Sequence, residues 1–117
     1  LEFRRVLFRS VDRYCADPLC NFIPTISAYY DLIKILAFIN SPKGVESIPK
    51  DLPIFFIFGT DDPVSEYGKG PAETAALLER AGCTKVSIKS YEGDRHELLN
   101  ELDRERVARD ILAFIKG

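Results

Sequence analysis

His96 is the only histidine of the chain, and it stands in the polar segment Glu92-Gly93-Asp94-Arg95-His96-Glu97, directly after a β-prone stretch that ends at Tyr91. A second polar segment, Gly59-Thr60-Asp61-Asp62-Pro63-Val64, follows the apolar run Ile54-Phe55-Phe56-Ile57-Phe58. A carboxylate that accepts from Nδ1 of an imidazole fixes the tautomer and stabilises the imidazolium, leaving Nε2 to act as a general base. That pair is two thirds of a hydrolytic triad. The missing third is a nucleophile, and none of Ser27, Ser41, Ser47, Ser65, Ser87 or Ser90 has the flanking glycines of a G-x-S-x-G turn. Of the two adjacent aspartates, Asp62 is the expected acid, because Pro63 restricts the residue before it to an extended conformation. Asp61 reads as a turn residue. Duller roles exist for each: an aspartate before proline can simply start a turn, and a histidine after a strand can be a solvated or capping residue.

The two segments can meet only if the elements before them run side by side in the same direction. Ile54 to Phe58 is a continuous apolar run between Pro53 and Gly59, which predicts a central strand with both faces covered. Full burial of five such side chains would contribute on the order of 10 kcal/mol. Pro71 then opens a helix with Glu73 in its first turn, Ala75, Leu77, Leu78 and Ala81 on its apolar face, and Gly82 at its end. Lys85 to Tyr91 alternates around Val86 and Ile88, a second strand. Asp103 to Lys116 is a closing helix with Asp103 as its N-cap and Val107, Ile111, Leu112 and Ile115 turned inward. Strand, helix and strand in that order form a parallel βαβ unit with a right-handed crossover, and so an α/β fold. In such sheets functional groups gather beyond the carboxyl ends of the strands, which places both polar segments at one edge. Upstream, Thr25 to Asn40 has helical spacing with Thr25 as N-cap, and Ser41 to Leu52 has loop composition.

With 117 residues, 46% of them hydrophobic and 29% charged, the chain is at most one ordinary domain, and disordered and collagen-like classes are excluded. No apolar run approaches the roughly 20 residues of a membrane span. A net charge of -2 without a clustered basic face argues against nucleic acid as a partner. Cys15, Cys20 and Cys83 are odd in number and widely spaced, so neither a disulfide framework nor a zinc site is indicated, and a reducing, cytoplasmic setting fits best. The chain contains no Met, which together with Leu1 to Ser10 (LEFRRVLFRS) leads us to expect a piece of something longer. Those ten residues resemble the in-frame translation of a sequencing adapter and are left out of fold reasoning.

Leu52 to Asn100 resembles the C-terminal third of an α/β-hydrolase, in particular the monoacylglycerol lipase, lysophospholipase and serine aminopeptidase-like group. Gly59-x-x-Asp62-Pro63-Val64 followed by Tyr67-Gly68-Lys69-Gly70 is similar to the catalytic-acid loop of that group. Tyr91-x-Gly93-x-Arg95-His96-Glu97-x-Leu99-Asn100-Glu101 is similar to its histidine loop. Ala16-Asp17-Pro18-Leu19-Cys20 and the Thr25 helix look like the segment that leaves the cap and returns to the core. Glu92 stands where the group often has proline, and Pro71 where a branched residue is common. The resemblance covers about residues 12 to 116. With the adapter-like residues 1–10 set aside, it implies a cap-to-core helical segment over 11–51 and a C-terminal βαβα part of the core over 52–117.

The resemblance further implies a serine hydrolase whose base is His96 and whose acid is Asp62, with Arg95, Glu97 and Glu101 as supporting or helix-start partners. Lys69 is a solvated loop charge. The substrate would be a small ester or lipid such as monoacylglycerol or lysophospholipid, reached in the cytoplasm or at a membrane surface, with no metal or organic cofactor. This chain, lacking the nucleophile, is expected to be inactive alone and to associate with itself through an exposed sheet edge. Two other readings are open. An aspartate nucleophile upstream would make the parent dehalogenase-like or epoxide-hydrolase-like. A receiver-like signalling module would use Asp61 and Asp62 to hold magnesium, although the pair would then be expected after the first strand.

Overall fold

The structure is a computed structural model that describes residues 12–20 and 22–117. The expected adapter-derived segment lies outside the described residues. The chain divides into two compact units, one ending at Ile39 and the other spanning Asn40–Gly117. In the first, residues 12–16 are helical and helix α1 runs over Ile26–Ile39. Thr25 caps α1 as expected, its Oγ1 accepting from the Ala28 N–H at 3.2 Å. None of the side chains of α1 is buried, and Ile26 is 89% exposed.

The second unit opens with a short helix α2, Pro42–Glu46, inside the stretch predicted to be loop. Its signal is local: Ser41 Oγ accepts from the Gly44 N–H at 3.1 Å and Pro42 fills the first helical position, where a missing N–H costs nothing. Strand β1, Ile54–Gly59, pairs in parallel with strand β2, Val86–Tyr91, in the register Ile54↔Val86 to Gly59↔Tyr91. Helix α3, Lys69–Arg80, crosses between them, and helix α4, Arg104–Lys116, closes the chain after a 3-10 turn at Leu98–Asn100. The parallel βαβ unit with a closing helix is therefore present.

The two faces of β1 have different partners. Ile54 and Phe56 pack on a cluster of Val45, Leu78 and Cys83 that α3 supplies in part. On the opposite face Ile57 packs on Tyr91, Leu98 and Val107, and the Phe55 ring stacks on Phe114 of α4 with centroids 5.0 Å apart. Both faces are covered, but only partly: every residue from Ile54 to Phe58 is half-buried. The reason is the width of the sheet, which among the described residues has two strands. The same narrowness corrects several inward assignments. Ile88 of β2, Leu77 of α3, and Leu112 and Ile115 of α4 are exposed, while Val107 is fully buried and Ile111 partly so.

Helix α3 begins at Lys69, two residues before Pro71, behind a run of three left-handed residues, Glu66, Tyr67 and Gly68. A Cβ on Gly68 would run into the Phe58 ring, so glycine serves there both for its φ of +90° and for the close approach of the strand. Gly82, at φ +94°, ends the helix as expected. Asp103 does occupy the N-cap position of α4, but its carboxylate accepts no hydrogen bond from the helix, which corrects the expected cap. Among the described residues no helix is long and apolar enough to cross a membrane.

Candidate active site

Parallel pairing brings Gly59 and Tyr91 level at the carboxyl ends of β1 and β2, so the polar segments leave the sheet side by side. Three hydrogen bonds lash them together. Thr60 N–H donates to the Tyr91 carbonyl at 2.9 Å, Asp61 N–H to the Asp94 carbonyl at 2.9 Å, and Gly93 N–H to Thr60 Oγ1 at 2.8 Å. The contact is close enough that a Cβ on Gly59 would overlap the Asp94 carbonyl and lie 2.7 Å from the Arg95 nitrogen. Gly59 and Thr60 are thus site-building residues that sequence reasoning missed; the glycine at the end of a central strand was the available signal.

The chain then turns at Asp62. Its carboxylate is 3% exposed and both oxygens are engaged, Oδ1 with the Val64 N–H at 2.9 Å and Oδ2 with His96 Nδ1 at 3.1 Å. Ser65 Oγ and the Tyr67 N–H donate to the Asp62 carbonyl at 3.0 and 2.8 Å, which fixes the backbone of the turn. Burial pushes the Asp62 carboxyl up, but the hydrogen bonds from His96, the Val64 N–H and Ser65 outweigh it and hold the group below its ordinary value. It is therefore ionised at neutral pH and able to orient an imidazole. The His96 side chain is 60% exposed, so the ring is anchored at Nδ1 and otherwise accessible. Asp61 is exposed and contributes only its backbone N–H to the Asp94 carbonyl.

The other expected partners divide. Glu101 Oε1 accepts from both the backbone N–H and the Nε of Arg95, at 3.3 and 3.2 Å, and so ties the residue before His96 to the segment that leads into α4. Glu97 instead accepts from Asn100 Nδ2 at 2.9 Å on the exposed side. Below the loop, buried Tyr91 donates from its hydroxyl to Asp110 Oδ2 at 2.8 Å, and Lys89 Nζ lies 2.7 Å from the same oxygen. Burial, with Asp110 beside it, pushes the Tyr91 hydroxyl up to about 12, so it stays a hydrogen-bond donor. These contacts fasten the end of β2 to α4. Among the described residues no group of three or more His, Cys, Asp or Glu could hold a metal ion.

A βαβ unit with a carboxylate and an imidazole joined across its two strand-end loops invites comparison with enzymes of known structure. A highly thermostable carboxyl esterase from Bacillus coagulans, solved in complex with glycerol, superposes with a TM-score of 0.81 at 34% identity, over 93% of this chain and 36% of the esterase. The fold is thus that of part of an α/β-hydrolase. Within that class the chain belongs to the serine aminopeptidase S33 family, whose pattern matches residues 8–103. A non-heme chloroperoxidase from Streptomyces lividans is 32% identical over 91 residues, which are 78% of this chain and 30% of that protein. The chain therefore spans about a third of the length of these relatives. Family membership also disposes of the receiver-like reading.

Proposed function

We propose that this chain supplies the acid and the base of a serine hydrolase that cleaves carboxylic esters, with monoacylglycerols or lysophospholipids as the favoured substrates. The observation that carries the reading is the 3.1 Å contact between His96 Nδ1 and a buried Asp62 carboxylate. With Nδ1 committed to Asp62, Nε2 takes the proton of a serine hydroxyl as that oxygen attacks the ester carbonyl. It returns the proton to the departing alcohol, and a water molecule repeats the cycle on the acyl-enzyme. Asp62 stabilises the imidazolium in both halves. The serine and the oxyanion donors are supplied by sequence outside this chain, which has no G-x-S-x-G turn.

The test is a graft in which residues 12–117 replace the matched segment of the Bacillus coagulans esterase. Hydrolysis of a p-nitrophenyl ester is expected from the graft and is expected to fall by at least about 10⁴ in His96→Ala. Activity that survives His96→Ala would sink the assignment. The 117-residue chain alone is expected to show no turnover and no labelling by a fluorophosphonate probe, since loss of the nucleophile costs about 10⁶ in kcat in subtilisin. Stoichiometric labelling of any serine in this chain would contradict it.

We also propose that the chain by itself associates through the edge of β1 that has no partner strand among the described residues, and through exposed apolar side chains, Leu112 and Ile115 of α4 among them. Light scattering on the eluting chain is expected to give the mass of a dimer or larger. A sharp monomer peak with cooperative unfolding would refute this.

A further inference from the structure

Asp94 lies two residues before His96 and is 8% exposed. Its Oδ2 is buried without a hydrogen-bond donor, and among the described residues the only other buried side-chain polar atom in that condition is Asp103 Oδ1. The Asp103 side chain is the hydrogen-bonding neighbour of the Asp94 carboxyl. Two ionised carboxylates are acceptors only, so a hydrogen bond between them requires a proton on one of the two. We propose that Asp94 and Asp103 share one proton, and that this bond pins the His96 loop to the first turn of α4, making the pair a positioning element for His96.

The connections around Asp94 give the pin its leverage. Its carbonyl accepts from the Asp61 N–H, so a single residue touches the acid loop through its main chain and α4 through its side chain. The helix leaves Asp103 available, because that carboxylate caps none of its N–H groups. The charged groups facing the pair are Glu101 from the segment before α4 and Arg106 from α4, whose Nη1 is 3.8 Å from Asp103 Oδ2. Arg95, next along the chain, is engaged with Glu101. One negative charge on the pair is balanced by Arg106; a second would leave two buried carboxylates opposed, with Glu101 adding to the repulsion.

Burial first, then Asp103 and Glu101, push the Asp94 carboxyl up to about 6 from an ordinary 3.8. Between those values the folded chain holds a proton that the unfolded chain has released. The resulting stabilisation is complete below the lower value and is lost as pH rises through the upper one. An asparagine at 94 donates an N–H to Asp103 at every pH and keeps the shape, whereas alanine removes the bond. The functional meaning of the pin rests on His96 being the base proposed above; the shared proton itself does not.

The full 117-residue chain tests this by infrared spectroscopy and amide exchange. A protonated-carboxyl stretch is expected to fade with a midpoint near pH 6 and to be absent from Asp94→Asn. Protection of the Asp61 and Arg95 amides, corrected for intrinsic exchange, is expected to fall by up to about tenfold per pH unit between the ordinary 3.8 and about 6 and to level off above it. In Asp94→Asn it is expected to stay high throughout, and in Asp94→Ala to be low throughout. His96→Ala is expected to leave both readouts unchanged while abolishing hydrolysis in the graft, so failure of the pin and failure of the catalytic assignment are read separately. No carboxyl transition between about pH 5 and 7, or an exchange profile in Asp94→Asn that matches the parent, would overturn the proposal.

Discussion

Asp62→Asn in the grafted esterase is expected to leave the fold intact and lower kcat by about 10⁴, the loss seen for the corresponding change in a serine protease, where the amide favours the wrong imidazole tautomer. Asp61→Asn is expected to cost less than about tenfold. The difference follows from placement: Asp62 Oδ2 meets His96 Nδ1 at 3.1 Å from a buried position, while the Asp61 side chain is exposed and only its N–H is used. An asparagine at 62 can still accept from the Val64 N–H through its carbonyl, which is why the turn should survive. Steady-state kinetics of both variants beside thermal unfolding decide the matter. The reverse pattern would move the acid to Asp61, and small losses from both would remove the pair from the mechanism.

Gly59→Ala is expected to be the most damaging single methyl group in the chain. The atoms a Cβ would meet are the carbonyl of Asp94 and the backbone nitrogen of Arg95, and no side-chain rotation can move either. The loops must separate, with loss of the Thr60–Tyr91, Asp61–Asp94 and Gly93–Thr60 hydrogen bonds. At about 1 kcal/mol for each bond, before any packing is counted, the cost is about 3 kcal/mol or more in unfolding free energy. The same separation draws His96 away from Asp62, so hydrolysis in the graft should fall with stability. Gly93→Ala is the matched control. Nothing lies within 4 Å of a Cβ there, and the penalty of about 1 kcal/mol comes only from its φ of +76°. A Gly59→Ala loss below about 1 kcal/mol in denaturant unfolding would mean that the two loops are not held in register.

Much of this arrangement can be read from the chain in one dimension. The apolar run Ile54–Phe58 and the alternation before Tyr91 are properties of a few consecutive residues. So are the Thr25 cap, and Gly82 at the end of a helix. Strand, helix and strand in succession admit little besides a right-handed parallel crossover, and that alone carries the two polar loops to one edge. Asp62 was distinguishable from Asp61 because proline acts on its immediate neighbour. The short helix at Pro42–Glu46 was legible too, in Ser41 followed by proline, but loop composition around it masked the signal.

What the tertiary structure decided depends on residues far apart in sequence. Asp103 has the type and place of a helix cap, yet its carboxylate caps no N–H of the helix, and only the fold makes it the hydrogen-bonding neighbour of Asp94. Leu112 and Ile115 have core spacing yet are exposed, because periodicity tells which face of a helix is apolar and not how much sheet lies beneath that face. The Asp62–His96 contact spans 34 positions, and its length is set by a parallel register in which Gly59 stands level with Tyr91. Composition and local pattern determined which elements form and which residue types reach the strand ends. The distances, the burial of Asp62 and the opposition of two carboxyls came from packing, since close contact between remote groups is fixed by the whole set of neighbours that exclude water around them.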